Sequence, residues 1–401
     1  MALGIIIGLL WAANARAVEF SPIYEFEVLG GQNFYNGQKG SLGGNANGTV
    51  APAMKLNGNW ALLPTFNSAY SGTEQVLDVI GGQTLFQAQW DNLFSLKGIY
   101  TPDGSDWRLK PSGSFKYEFL KETNDEQFGQ GLFDYSQWDL GFEAEYVYRD
   151  PYAFHVSLDY YSVHFPNYTS LESQAAGLGL ARQLVGDYVL DTHNILFQAG
   201  VSAPVYDRLA FDGGLMILNQ SFPNQHLVDA EGDLDAPVRD DVTTTLSAGI
   251  KMPKELNSDM RLLGALDLSA SYNTSNQNSF DATQAQYLPD YYNYGQVKVS
   301  PSFKLMVGPV KQPVVVGLSA AYWYRRYPYR PVQDGTGNYI GGDIHTNNWM
   351  FEGSVNYPIS PRFDLVFDAQ YGQGTSNMQF EEFFQYQYTI SSYWFGFSYK
   401  Y

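Results

Sequence analysis

The amino-acid sequence predicts an all-β chain closed into a transmembrane, antiparallel up-and-down β-barrel of about sixteen strands, within bounds of roughly 14 and 18. Three observations carry that expectation. Apolar and polar side chains alternate in segments along the whole chain, short turns alternate with longer polar loops, and the last strand is aromatic at every second position to its final residue.

The alternation comes first because side chains on a strand point to opposite faces in turn. Phe363, Leu365, Phe367, Ala369 and Tyr371 alternate with Asp364, Val366, Asp368 and Gln370. Trp349, Phe351, Val355 and Tyr357 stand against Glu352, Ser354 and Asn356. Val297, Val299, Phe303 and Leu305 interleave with Lys298, Ser300, Ser302 and Lys304, as Leu266, Leu268 and Tyr272 do with Asp267, Ser269 and Ser271. Trp138, Leu140, Phe142, Tyr146 and Tyr148 alternate with Asp139, Glu143 and Glu145, and Trp107, Leu109, Phe115, Tyr117 and Phe119 with Arg108, Lys110, Ser114, Lys116 and Glu118. A soluble sandwich also buries one face of each strand. The rows of Tyr, Trp and Phe at strand ends favour a membrane barrel, because amphipathic rings settle at the lipid interfaces. No 18 consecutive apolar residues occur, so a membrane position requires closed strands.

Short turns are expected near 57–59, 101–106, 150–151, 203–207, 253–259, 308–313 and 360–362, with longer polar stretches near 34–47, 71–84, 122–134, 166–192, 221–240, 273–293, 328–345 and 374–386. Beginning and ending at the short-turn side, this arrangement yields an even strand number.

The composition agrees. Aromatic residues are 16% of the chain, with 31 Tyr, yet the mean hydropathy is −0.27. Cys is absent, which removes disulfides, thiolate metal sites and Cys nucleophiles. A formal charge of −18 excludes a nucleic-acid surface, which needs clustered Lys and Arg. Residues 1–17 read as a signal peptide, with an apolar run over 2–13 and Ala15-Arg16-Ala17 as the small-x-small cleavage site. Residues 18–401 then form one domain.

In the terminal strand Tyr393, Phe395, Phe397, Tyr399 and Tyr401 alternate with Trp394, Gly396, Ser398 and Lys400. This resembles the end signature of Gram-negative outer-membrane β-barrel, porin-like proteins, with Tyr401 in place of the usual terminal Phe. The resemblance implies export to the bacterial outer membrane, recognition by the barrel-insertion machinery, and contact with lipid and lipopolysaccharide. A homo-oligomer is compatible with it.

A barrel of this size encloses water, so the expected activity is porin-like diffusion of small polar or ionic solutes. The alternative is a non-conducting barrel whose acidic and aromatic loops bind a partner or glycan. The candidate pore lining is Arg108, Lys110, Lys116, Asp139, Glu143, Glu145, Asp267, Lys298, Lys304, Arg325, Glu352, Asp364 and Asp368. A basic column at Arg108, Lys110 and Lys116 beside an acidic one at Asp139, Glu143 and Glu145 suggests either a transverse field or plain cross-strand pairing. The loop at 167–191 is expected to cap the rim, with an inward fold as the other option. Asp229, Glu231, Asp233 and Asp235 are a candidate Ca²⁺ loop beside the plainer reading of a solvated acidic loop. Tyr322 to Arg330 reads as an aromatic and Arg girdle, or as a surface for sugars or anionic headgroups. No catalytic residues are expected. The five His lie in no local catalytic motif, and His155 and His164 are about 30 Å apart along one strand.

Overall fold

A computed structural model describes residues 18–401 apart from 80, 150–151, 171–181, 207, 283 and 382–383. The segment expected to be a signal peptide, 1–17, lies outside the described residues, as does the turn expected at 150–151.

Sixteen long strands run in chain order around one sheet: β1 Tyr24–Tyr35, β2 Gln38–Val50, β3 Trp60–Ser71, β4 Ala88–Tyr100, β5 Trp107–Lys121, β6 Tyr135–Arg149, β7 Tyr152–His164 and β8 Thr192–Tyr206. They continue as β9 Leu209–Val228, β10 Leu234–Asn257, β11 Met260–Ser275, β12 Tyr294–Val307, β13 Val314–Gln333, β14 Tyr339–Ser360, β15 Phe363–Ser376 and β16 Tyr388–Lys400. Every neighbouring pair is antiparallel, and β1 pairs with β16, from Glu25 opposite Lys400 to Tyr35 opposite Ile390. Closure leaves no open edge, so every strand finds backbone partners on both sides. Tyr24 and Tyr401 exchange backbone hydrogen bonds of 3.0 and 2.9 Å at the seam. The short strands Glu19–Ser21 and Ala53–Lys55 pair with each other at the short-turn end.

The two faces follow the alternation. Leu140, Leu158, Leu246, Phe303, Leu318 and Phe395 are exposed on the outside, whereas Asp139, Asp159, Lys304 and Glu352 fall on the opposite parity, toward the lumen. An apolar outer surface of this kind is unstable in water and is expected of strands that face lipid.

The seam between β1 and β16 is packed around Trp394. Its ring is buried with Leu29 and Val366, and it lies over Gly31 and Gly43. A side chain at Gly31 would meet the Tyr393 carbonyl and the Trp394 ring together, so the missing Cβ leaves the space that the indole fills.

One expected loop is absent. The polar, Gly-rich stretch at 34–47 is strand on both sides of a two-residue turn at Asn36-Gly37, whose φ angles of 49° and 73° are the left-handed pair that a tight hairpin needs. The stretches at 221–240 and 328–345 are likewise mostly strand. β9 with β10 and β13 with β14 pair up to connections at 229–233 and 334–338. Length makes this wall distinctive: β10 has 24 residues and β14 has 22, against about 9–11 for crossing a bilayer.

Candidate functional site

The lumen wall begins with a ladder of charges. Register places Glu143 opposite Lys110 and Glu145 opposite Arg108. Lys110 Nζ lies 2.6 Å from Glu143 and 2.9 Å from Glu145, Lys97 reaches Glu143 at 3.0 Å, and Arg108 reaches Glu145 at 3.4 Å. The other two members of the expected columns do not meet. Asp139 faces Ser114, while Lys116 faces Gln137 and instead contacts Asp91 at 3.2 Å and Glu118. Opposite charges in contact cancel most of the field between them, so the pairing reading describes this wall.

Across the lumen, Lys304, Asp267, Glu352 and Asp368 line a recess of about 670 Å³, and Asp267 and Lys298 line a neighbouring one of about 440 Å³. Glu352 accepts a hydrogen bond from Ser319 at 3.1 Å. Asp364 sits opposite Pro358 and Ser398, near the short-turn end.

The long-loop end is where the sequence was least informative. The β3–β4 connection contains a small hairpin, Gln75–Asp78 paired with Gln83–Phe86. This hairpin reaches across the barrel mouth. Asp78 accepts an ion-paired hydrogen bond from Nη1 of Arg325, on β13, nearly opposite β4 in the ring. The Gly81 carbonyl accepts from Arg330 Nη1 at 2.6 Å, and Gln385 donates its backbone N–H to Gln83 at 2.9 Å. Phe86 is fully buried among Leu120, Phe133, Phe165, Tyr168, Leu184, Val189 and Leu190.

The described end of the 167–191 loop also turns inward, against the expectation of a rim cap. Gln183, in a short 3₁₀ turn at Arg182–Leu184, is buried and donates to the Tyr292 hydroxyl at 3.0 Å. Residues 171–181 of this loop lie outside the described residues. The β15–β16 connection joins them: Tyr386 and Met378 are buried with Tyr327, Val332 and Ile344.

The girdle expected at 322–330 splits into two populations. Tyr322 packs at a tilt against the outward Trp349, their ring centroids 4.4 Å apart, and Arg326 pairs with Asp343 at 2.6 Å on an exposed surface. Arg325, Tyr327 and Arg330 face inward. Arg325 donates to Gln296 at 2.9 Å and to the Tyr327 hydroxyl at 3.0 Å. A register shift between Tyr327 and Pro331 is what lets Arg330 share the face of Arg325 despite an odd spacing.

Together with Arg239 of β10, these side chains enclose a cavity of about 300 Å³ lined also by Asp78, Asp241, Tyr292 and Tyr294. Arg239 donates from Nε to Asp241 at 2.9 Å and from Nη1 to Gln225 at 2.9 Å, with its guanidinium 3.8 Å from the Tyr292 ring centre. Burial pushes the Tyr292 hydroxyl pKa up, partly offset by Arg239 and Arg330 beside it.

The acidic 229–235 loop does not converge on one point. Asp229 turns onto its own loop and accepts from the backbone N–H of Glu231 at 3.1 Å and of Asp233 at 2.7 Å, while Asp233 pairs with Arg182 at 3.3 Å. Among the described residues no three His, Asp or Glu side chains are arranged to hold a metal ion. The imidazoles have local partners: His164 Nδ1 lies 2.6 Å from Asp191 and His193 Nδ1 lies 3.3 Å from the Tyr160 hydroxyl. In the terminal strand Tyr393, Phe395, Phe397 and Tyr401 are exposed on the outer face, with Tyr399 half-buried on the same parity.

No protein-family model and no curated relative matches the chain. Solved structures of similar architecture include OmpT, an outer membrane protein of Vibrio cholerae, at 12% identity over 97% of this chain and 99% of that one, with a TM-score of 0.44. Pseudomonas aeruginosa OccD3 aligns at 9% identity over 95% of this chain and 91% of that one, with a TM-score of 0.44. A bacterial polysaccharide outer membrane secretin aligns at 10% identity over 94% of this chain and 98% of that one, again with a TM-score of 0.44.

Proposed function

We propose that this chain is a bacterial outer-membrane barrel that passes small polar or ionic solutes through a lumen narrowed by its own loops. It acts without catalysis, in contact with outer-membrane lipid and lipopolysaccharide, after delivery by the insertion machinery. The observation that carries the reading is the hairpin at 75–86, anchored on the far wall by Arg325 and Arg330 above a lumen lined with charged side chains. Sixteen strands leave room for water. A polar loop drawn across that space sets the size of what enters, and the charged wall beneath it favours hydrated solutes over apolar ones. The outward Arg326–Asp343 pair suits a headgroup region at the long-loop end.

The two buried aromatic clusters under the loops favour a second reading, a silent barrel that binds a partner at its loop face. Single-channel recording in planar bilayers separates the two. Discrete conductance steps that grow when residues 75–86 are replaced by a short Gly-Ser linker support the channel. A folded, heat-modifiable barrel with no steps in either form supports the binder.

A further inference from the structure

The cavity beneath the hairpin holds an electrostatic imbalance. Its lining carries three guanidinium groups, Arg239, Arg325 and Arg330, against two carboxylates, Asp78 and Asp241, so three positive less two negative leaves one uncompensated positive charge among the described residues. The partners identify which one. Arg239 is held by Asp241 and Arg325 by Asp78. Arg330 is 2% exposed and has no carboxylate partner among the described residues. Its Nε donates to the Tyr291 carbonyl at 2.7 Å and its Nη1 to the Gly81 carbonyl at 2.6 Å, and its guanidinium lies 4.1 Å from the Tyr327 ring centre and 4.2 Å from that of Tyr291. Nη2 has no hydrogen-bond partner among the described residues.

A buried cation without a counter-ion is costly, and carbonyls and ring faces offset only part of that cost. We propose that this cavity is a binding site for a small organic carboxylate, whose charged end meets Arg330 and whose apolar body lies against the rings of Tyr292, Tyr294 and Phe222. A planar guanidinium matches a carboxylate in geometry as well as charge. A volume of about 300 Å³ admits a molecule of benzoate size. Ring-lined walls select a carboxylate with an aromatic or aliphatic body over a bare inorganic anion.

This names a solute class for the channel read above and rests on that reading for access from the lumen; binding and conductance therefore have to be measured separately. The probe is sodium benzoate, titrated by calorimetry into the full chain in detergent, with benzyl alcohol and inorganic phosphate as controls. Saturable benzoate binding is expected, at least tenfold tighter than either control. It is expected to weaken at least tenfold in Arg330→Gln and less in Arg330→Lys. Because Arg330→Gln disturbs a buried group, Val79→Trp provides a second variant. It fills the cavity while leaving all three arginines, and it too should abolish binding. Absent benzoate binding, equal binding of phosphate or benzyl alcohol, or affinity unchanged in Val79→Trp would overturn the site even if the barrel conducts. Benzoate binding that needs Arg330 in a barrel that proves silent would uphold the site and overturn the channel.

Discussion

If the hairpin at 75–86 narrows the pore, loosening its anchor must change conductance, and the Asp78–Arg325 pair is the anchor to loosen. Asp78→Asn keeps the side-chain shape and one carbonyl acceptor but removes the charge. The pair is 20% exposed at Arg325 and 28% at Asp78, so it is partly screened. A hydrogen bond to a charged group contributes about 1.5–3 kcal/mol, and about 2 kcal/mol suits this exposure. At about 1.4 kcal/mol per tenfold, the ratio of displaced to seated hairpins should rise roughly thirtyfold. The Arg330 bond to Gly81 and the Gln385 bond to Gln83 stay in place, so the hairpin is loosened and not lost. The assay is single-channel recording of Asp78→Asn beside the native protein. The ratio of time in the larger-conductance level to time in the smaller one should rise by about that factor, with the heat-induced mobility shift of the barrel unchanged. Arg325→Gln should act in the same direction, and the exchanged pair Asp78→Arg with Arg325→Asp should recover part of the native behaviour. Identical open-level occupancy in native protein and both single variants would refute the latch.

Three further outcomes are expected. Trp394→Ala removes the ring that fills the Gly31–Gly43 gap and should cost about 3–5 kcal/mol, read as a lowered urea midpoint for the folded barrel. Glu143→Gln with Glu145→Gln leaves Lys97, Lys110 and Arg108 uncompensated, so the reversal potential in a salt gradient should move toward anion selectivity; an unmoved potential would mean that solutes do not pass this wall. In the 334–338 turn, Asp334 accepts from the Thr336 hydroxyl at 2.7 Å and from the backbone N–H groups of Thr336 and Asn338 at 2.9 and 3.1 Å. The Thr336 hydroxyl, first among these, holds its carboxyl below the ordinary range. A depressed acid stabilises the turn above its unfolded pKa of about 3.9 and ceases to do so as pH falls through the lower folded value. Amide exchange at Thr336 and Asn338, corrected for intrinsic rate, should therefore lose protection below about pH 4 in native protein but show no such step in Asp334→Ala.

The strands were legible in the sequence because their signal is local. Period two is set by neighbours one and two residues away, so Phe363 to Tyr371 or Tyr393 to Tyr401 declare their outer face without knowledge of the partner strand. The hairpin at Asn36-Gly37 was hidden by composition. Glycines and polar side chains around it suggest a loop, whereas the Asn-Gly pair itself is a tight-turn signal that outweighs them. Legibility ended at the mouth. Asp78 and Arg325 are 247 residues apart in the chain, and no periodicity links them. Arg330 was obscured differently: strict alternation from Arg325 sends it outward, and the irregularity after Tyr327 reverses that. An arginine among four tyrosines is a recognisable signal, but only the strand geometry says which face it serves.

That geometry separates two jobs that a narrowed channel must do. The walls at β9, β10, β13 and β14 extend well past the length a bilayer requires, and they carry Arg239 and Arg325 on paired backbone and Arg330 in the irregularity between the paired Tyr327 and Pro331. The occluding segments come from elsewhere: the β3–β4 hairpin, the end of the 167–191 loop and the β15–β16 connection. Among the described residues they bring Asp78, the Gly81 carbonyl and apolar packing to the mouth. The cationic side therefore belongs to the barrel strands, and part of its compensation comes from a connecting segment. When the hairpin leaves, Asp78 and the Gly81 carbonyl leave with it, and the cavity becomes more positive at the moment it becomes more accessible.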